Sequence, residues 1–343
     1  MKLHQTKKDL DIFKILNDLH NKYPKHPIQD DLKAIYQAAL GPGHLVTNEA
    51  YVYLLQELKQ CQNNNYEYDD LNNYVRLHLY NLKDKLKAET IFRIFSLSSK
   101  MELQSNIKEA INEYRKTLNK EADLKCIEKY INDGYPSLHH SDLFKETYRP
   151  SYRLVAKIFI DILPLLIEID NNNKQLIIAI DGQCASGKTT LSNILKEIFN
   201  CDIVHLDDFF LQAHQRSNER LSIAGENIDH ERFLKEILIP LSNNENYEYK
   251  PFDCQTFSFK EAKLIKPQSI TIIEGSYALH PNLAPYYDLR IVLTIDENSQ
   301  SERLLKRNKQ LYPKFKDLWI PLENQYLKEK KITANCDYLF QVI

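Results

Sequence analysis

The 343-residue sequence predicts an α/β fold, a parallel sheet with flanking helices, preceded by a mainly α-helical domain. Three observations carry this. After residue 173, apolar runs of strand length alternate with helical patterns, the rhythm of a parallel sheet covered on both faces. Between the first such run and the next helical pattern lies the loop GQCASGKT, residues 182–189. Before residue 170, apolar residues recur mostly at helical spacing.

Taken in order, Leu10, Phe13, Leu16 and Leu19 mark a first helix, and Leu32, Ile35, Tyr36 and Ala39 a second. Gly41-Pro42-Gly43 breaks the chain before a third, marked by Val52, Leu55 and Leu58. Residues 61–70 (CQNNNYEYDD) read as an exposed loop. Val75, Leu77 and Leu79 alternate with Arg76 and His78, the pattern of a short strand. Helical patterns resume over 81–133, and residues 152–169 read as one long, largely buried helix. The polar break Asp170-Asn171-Asn172-Asn173 sets the boundary between a helical domain, 1–170, and an α/β domain, 171–343. Strands are expected at 175–180, 201–206, 269–273, 289–295 and near 337–342, with a helix over 190–199. Residues 314–326 (KFKDLWIPLENQY) read as a helix with Trp319 and Glu323 on one face, either part of a lid or packed on the sheet.

Composition narrows the function. A formal net charge of −2 gives no global attraction to nucleic acid or anionic lipid. The six cysteines are scattered without a metal-ligand spacing, as expected of thiols in a reducing cytoplasm. The first residues lack the apolar core of a signal peptide, and the most apolar stretch, 158–169, is interrupted by Asp161, Pro164 and Glu168. A cytoplasmic protein with no membrane partner is therefore expected. Self-association stays open.

The loop is the sharpest signal. It fits G-x-x-x-x-G-K-[ST] in full, and it uses two of only seven glycines. Gly182 and Gly187 let the backbone wrap a polyphosphate, with Gln183, Cys184, Ala185, Ser186 and Thr190 completing the cradle. The helix that starts there offers unpaired N–H groups to the anion. Lys188 is the group expected on the β- and γ-phosphates, and the Thr189 hydroxyl on Mg²⁺. The pattern calls for a nucleoside triphosphate and Mg²⁺ within a P-loop NTPase-type sheet; by itself it chooses neither the reaction nor ATP over GTP.

Acidic residues follow two of the expected strands. Asp207-Asp208 comes after 201–206, and Glu274-Gly275 after 269–273. In open α/β sheets the ligand lies beyond the carboxyl ends of the strands. Asp207 or Asp208 could there act as base toward a hydroxyl acceptor, and Glu274 could organise Mg²⁺.

In this order GQCASGKTT, HLDDFF (205–210), NIDHERF (227–233) and IIEGSYALHP (272–281) resemble the uridine kinase and phosphoribulokinase group of P-loop kinases. ERLLKRN (302–308) is similar to the arginine-rich start of that group's lid. The resemblance covers roughly half of the chain. It implies that Asp207 orients or deprotonates the acceptor hydroxyl, that Asp229 binds ribose hydroxyls, and that Arg303 and Arg307 close over the transferring phosphate. Pro251-Phe252-Asp253 matches the region beside the nucleobase, with one residue fewer. Phe252 and Phe257 stand where that group places a tyrosine and a histidine. Phenylalanine stacks on a base but cannot hydrogen-bond its edge. The expectation is thus a kinase transferring the γ-phosphoryl group of ATP to a small hydroxyl acceptor, a nucleoside in the first instance. Pantothenate, a sugar or a sugar phosphate is the alternative acceptor, and a non-catalytic nucleotide switch the alternative function. In the helical half, Gly41-Pro42-Gly43-His44 joins two helices, and the cluster His139, His140, Ser141, Tyr148, Arg149, Tyr152 and Arg153 reads either as an anion or substrate pocket or as a polar seam between domains.

Overall fold

The computed structural model describes residues 1–63, 66–254 and 256–343. The chain forms two compact units, Thr6–Asn171 and a second made of Met1–Gln5 with Asn172–Ile343. The first five residues lie with the C-terminal unit because strand β1 (Lys2–Leu3) pairs in parallel with the last strand of the chain.

The N-terminal unit is helical around a small sheet. Its helices include Ile12–Lys22, Ile28–Leu40, Ala50–Gln60, Ala88–Lys100, Ile107–Arg115, Glu121–Asn132 and Asp142–Tyr148. In the first helix, Ile12, Ile15, Leu16 and Leu19 are buried while Phe13 is exposed, and Asp11 caps its start by accepting the Lys14 amide. The third helix turns a different face inward from that expected: Ala50 and Leu54 are buried, Val52 and Leu55 exposed. Strands β2 (Tyr68–Leu71), β3 (Tyr74–His78) and β4 (Tyr152–Ala156) form an antiparallel sheet.

Two expectations are corrected here. The exposed loop over 61–70 ends in β2, where Asp69 is buried; residues 64 and 65 lie outside the described residues. The long helix over 152–169 is instead strand β4 followed by short helices, Ile158–Asp161 and Leu163–Asp170. Tyr152-Arg153-Leu154-Val155-Ala156 satisfies its backbone against β3, a long-range pairing that local periodicity cannot register. The alternation around Arg76 and His78 does mark a strand, yet both of those residues are buried, because helices cover what would be a solvent face.

The C-terminal unit holds β5 (Leu176–Gly182), β6 (Asp202–His205), β7 (Tyr247–Tyr249), β8 (Phe252–Asp253), β9 (Ser258–Phe259), β10 (Lys263–Ile265), β11 (Ile270–Glu274), β12 (Leu289–Ile295) and β13 (Tyr338–Val342). Its six-stranded parallel sheet runs β1-β13-β12-β5-β11-β6. β5 is buried along its whole length, which explains its unbroken apolar run. Ala179, Ile273 and Val292 of the sheet pack with Phe209, Phe233, Leu238 and Tyr326 from the covering segments. β7 with β10 and β8 with β9 form two small antiparallel ribbons outside the main sheet.

Candidate active site

The loop after β5 is built by backbone constraint. Gly182 has φ 136° and Gly187 φ 89°, both in the region that side chains disfavour. At Gly182 an added Cβ would also overlap the Leu293 carbonyl of β12. The helix Lys188–Phe199 follows directly. Ser186 is fully buried, and its hydroxyl has no hydrogen-bond partner among the described residues. Such a group inside an amide-lined loop fits a phosphate oxygen, since an unpaired buried hydroxyl costs ~1–3 kcal/mol. Lys188 Nζ donates back to the carbonyls of Gly182 (2.7 Å) and Gln183 (3.1 Å), with Ser276 Oγ at 3.4 Å. Thr189 and Thr190 sit exposed on the first turn of the helix.

The strand order brings the predicted carboxylates together. β11 lies between β5 and β6, so Glu274 and Asp207 leave the sheet on either side of one strand gap, beside the loop. Thr189 Oγ1 lies 3.4 and 3.3 Å from the two Glu274 carboxylate oxygens. Two adjacent ligands of an octahedral Mg²⁺, each at ~2.1 Å, stand about 3 Å apart, so this pair fits that ion. Glu274 also accepts from His205 Nδ1 at 2.6 Å, and this raises the histidine's pKa above its ordinary value. Asp207 sits in the turn Leu206–Phe209. The residue is exposed at the turn, with charged neighbours around its carboxyl. Desolvation raises its pKa first, the Glu274 carboxylate adds to that, and Lys188 opposes it. A carboxylate tuned upward in this way suits proton acceptance from a hydroxyl.

The other predicted substrate residues are dispersed. Asp208 accepts from Tyr249 Oη (3.3 Å) and Lys263 Nζ (3.2 Å), which ties the turn to β7 and β10. Asp229 is buried and committed to the fold: one oxygen caps the helix His230–Phe233 through the Arg232 amide, and the other accepts from Gln215 Nε2 at 2.9 Å. Phe252 is buried against Phe259, whereas Phe257 is exposed, with the Arg216 guanidinium 4.9 Å from its ring centroid. Asp253 is held in the β8–β9 ribbon, 3.4 Å from Lys260 Nζ. Arg303 reaches the loop, donating to the Ala185 carbonyl at 3.3 Å. Arg307 ends its helix exposed.

Three residues at the site escaped sequence reasoning. Gln5, just after β1, contacts the Gly187 carbonyl (3.4 Å) and accepts from Arg303 (3.2 Å); nothing in sequence signals a partner 182 positions away. Asp181 is buried and accepts from the amides of Gly182, Tyr277 and Leu279 and from Tyr326 Oη, fixing the base of the loop. Glu323, read only as one face of a helix, accepts the Cys184 amide and the Ser276 hydroxyl, each at 2.7 Å. That carboxylate occupies a loop donor that a phosphate would otherwise use.

A phosphate-binding loop on a central parallel strand, with carboxylates at the ends of neighbouring strands, defines a P-loop nucleotide-binding domain. Residues 177–311, within the C-terminal unit, match the model of the Phosphoribulokinase / Uridine kinase family. A uridine kinase from Chlamydia pneumoniae is 30% identical over 142 residues, 38% of this chain and 62% of that protein. The chain thus spans about three fifths of that relative's length. A solved structure of a possible uridine kinase from Bacillus stearothermophilus aligns with 53% of this chain and 96% of its own, at 19% identity and a TM-score of 0.39. A shikimate kinase from Bacteroides thetaiotaomicron aligns with 48% of this chain and 86% of its own, at 16% identity and a TM-score of 0.27.

Proposed function

We propose that the C-terminal unit is an ATP-dependent kinase that phosphorylates a hydroxyl of a small metabolite. The observation that carries this is the convergence of Lys188, the Thr189–Glu274 pair and Asp207 at the ends of three adjacent strands. In this reading Lys188 leaves its carbonyl partners for the β- and γ-phosphates, and Asp207 takes the acceptor's proton. Arg303 and Arg307 balance charge on the transferring group. Thr189 and Glu274 hold Mg²⁺, which when bound neutralises phosphate charge. The protein's part is positioning and electrostatics.

A nucleoside of the uridine or cytidine kind is the leading acceptor, because the matched family model includes uridine kinases. Two observations favour a second reading, a sugar, sugar phosphate or pantothenate. Asp229 has both oxygens engaged within the fold, and the phenylalanines at 252 and 257 offer no donor or acceptor to a base edge. Arg216, whose guanidinium stands 3.8 Å from Cys254 Sγ, adds positive charge to that region. The test is ADP release with Mg-ATP across nucleosides, sugars, sugar phosphates and pantothenate, beside Asp207→Ala. Acceptor-dependent release that the variant loses supports the kinase and names its acceptor class. ATP binding without stimulation by any of them would replace it with a nucleotide-dependent switch.

A further inference from the structure

We propose that the N-terminal unit contains a second ligand site, independent of the phosphate-binding loop, that takes the carboxylate of a small polar molecule on Arg76. Arg76 is the central residue of β3 and the largest fully buried side chain of the described residues. A buried guanidinium costs several kcal/mol unless it is paired. Its Nε donates to Gln37 Oε1 at 2.8 Å, but Nη1 and Nη2 have no hydrogen-bond partner among the described residues. The nearby acid, Asp69, feels the Arg76 charge, but its short contacts go to Tyr23 Oη at 3.0 Å, Lys22 Nζ at 3.2 Å and His78 Nε2 at 3.4 Å.

The guanidinium is held in place by a chain of donors with one consistent direction. Asp30 Oδ1 lies 2.6 Å from His140 Nδ1, which sets that nitrogen as the donor and leaves Nε2 to accept from Tyr152 Oη at 2.7 Å. The Tyr152 oxygen then accepts from Gln37 Nε2 at 3.3 Å, and Gln37 Oε1 is left to accept from Arg76. The Ser141 hydroxyl fixes the far end by donating to Asp30 at 2.5 Å. Every link points the same way, so Nε is consumed while the Nη fork is presented already oriented. Such preorganisation lowers the entropic cost of binding.

The fork borders a narrow pocket that Tyr23, Asp69, His78, Phe144, Tyr148 and Tyr152 also line. Its free space, about 10 Å³, is that of a single water, so a carboxylate enters only as the aromatic lining moves aside. His78 and Tyr148 also line a polar chamber of about 350 Å³, together with Glu146 and Arg149. The head then sits on Arg76 and the polar body in the chamber, with Tyr148 and His78, which line both, as the side chains that part to join them. Two parallel N–H donors in a plane match a carboxylate, and the narrow pocket disfavours a bulkier tetrahedral phosphate.

Calorimetry on the full chain tests this, in a Lys188→Ala background that weakens phosphate binding at the loop. The probes are acetate, malate, glutamate and inorganic phosphate. Saturable binding of at least one carboxylate is expected, weakened about thirtyfold or more by Arg76→Gln, the effect of truncating one partner of a buried charged pair. Should that variant fail to fold, Tyr152→Phe keeps the guanidinium and cuts its tether, and a severalfold loss is expected. A crystal grown with the bound carboxylate should place its two oxygens on Nη1 and Nη2. Phosphate bound in preference to every carboxylate, affinities indifferent to both substitutions, or a lone water on the fork at saturating carboxylate would overturn the proposal.

Discussion

At the scale of single residues, the phosphate-binding loop is opposed by a charge of its own protein. Glu323 accepts the Cys184 amide inside the cradle, so incoming phosphate meets a carboxylate at 2.7 Å from a donor it needs. Glu323→Gln keeps an acceptor for that amide and removes the charge. It should tighten Mg-ATP binding severalfold, since even in a screened site one unit charge at close range is worth on the order of 1 kcal/mol. Calorimetric titration of both proteins with Mg-ATP checks it, and unchanged or weaker affinity would mean that Glu323 moves away from the bound nucleotide. Lys188→Ala and Asp207→Asn should separate binding from chemistry. The first should lower affinity and turnover together. The second should cut turnover by roughly 10²–10⁴-fold with little effect on ATP affinity. Equal affinity losses in the two variants would contradict the division of roles.

At the scale of elements, the edge strand β1 is two residues long, yet it extends the sheet and brings Gln5 to the loop. Leu3 is fully buried against the sheet edge. Leu3→Ala should destabilise the C-terminal unit by roughly 2–4 kcal/mol, the usual cost of emptying a buried leucine site. Trp319 is the sole tryptophan of the chain and lies in this unit, so its fluorescence during urea unfolding reports the loss directly. An unmoved midpoint would show that β1 adds little to the sheet. The corrected elements follow from the same physics. Residues 152–156 form a strand because β3 supplies their backbone partners, and the third helix packs through Ala50 and Leu54 because its neighbours sit on that side. Neither fact is local.

At the scale of the whole molecule, each unit buries a histidine kept neutral. Burial pushes the pKa of His140 down to about 3 against the opposing pull of Asp30, and burial with the neighbouring His230 pushes that of His280 to about 4. Unfolded, each titrates near 6.5. Between those values the unfolded chain binds more protons, so stability falls as pH is lowered from about 6.5 toward 4, in both units. His205 acts in the opposite sense. Its pKa is raised by Glu274, so its contribution is present below about 6.5 and fades as pH rises through the folded value. That residue is partly exposed, and solvent screening makes its share the smaller one. Urea midpoints by circular dichroism should therefore drop from pH 7 to pH 5, and a flat or rising profile would contradict neutral buried histidines.

The sequence by itself determined the phosphate-binding loop, the alternation of strands and helices after residue 173, and the two acidic strand ends. Those signals are local: a glycine where the backbone turns, an apolar run where both sheet faces are covered, a carboxylate directly after a strand. Tertiary structure alone decided that Glu274 lies between Thr189 and His205, that Glu323 and Gln5 reach the loop, and that Asp229 is spent as a helix cap. It alone revealed that Arg76, polar in a strand pattern, is buried with its fork unpaired among the described residues. Strand order and helix docking join residues far apart in the chain, and no periodicity records which partner a side chain meets across that distance.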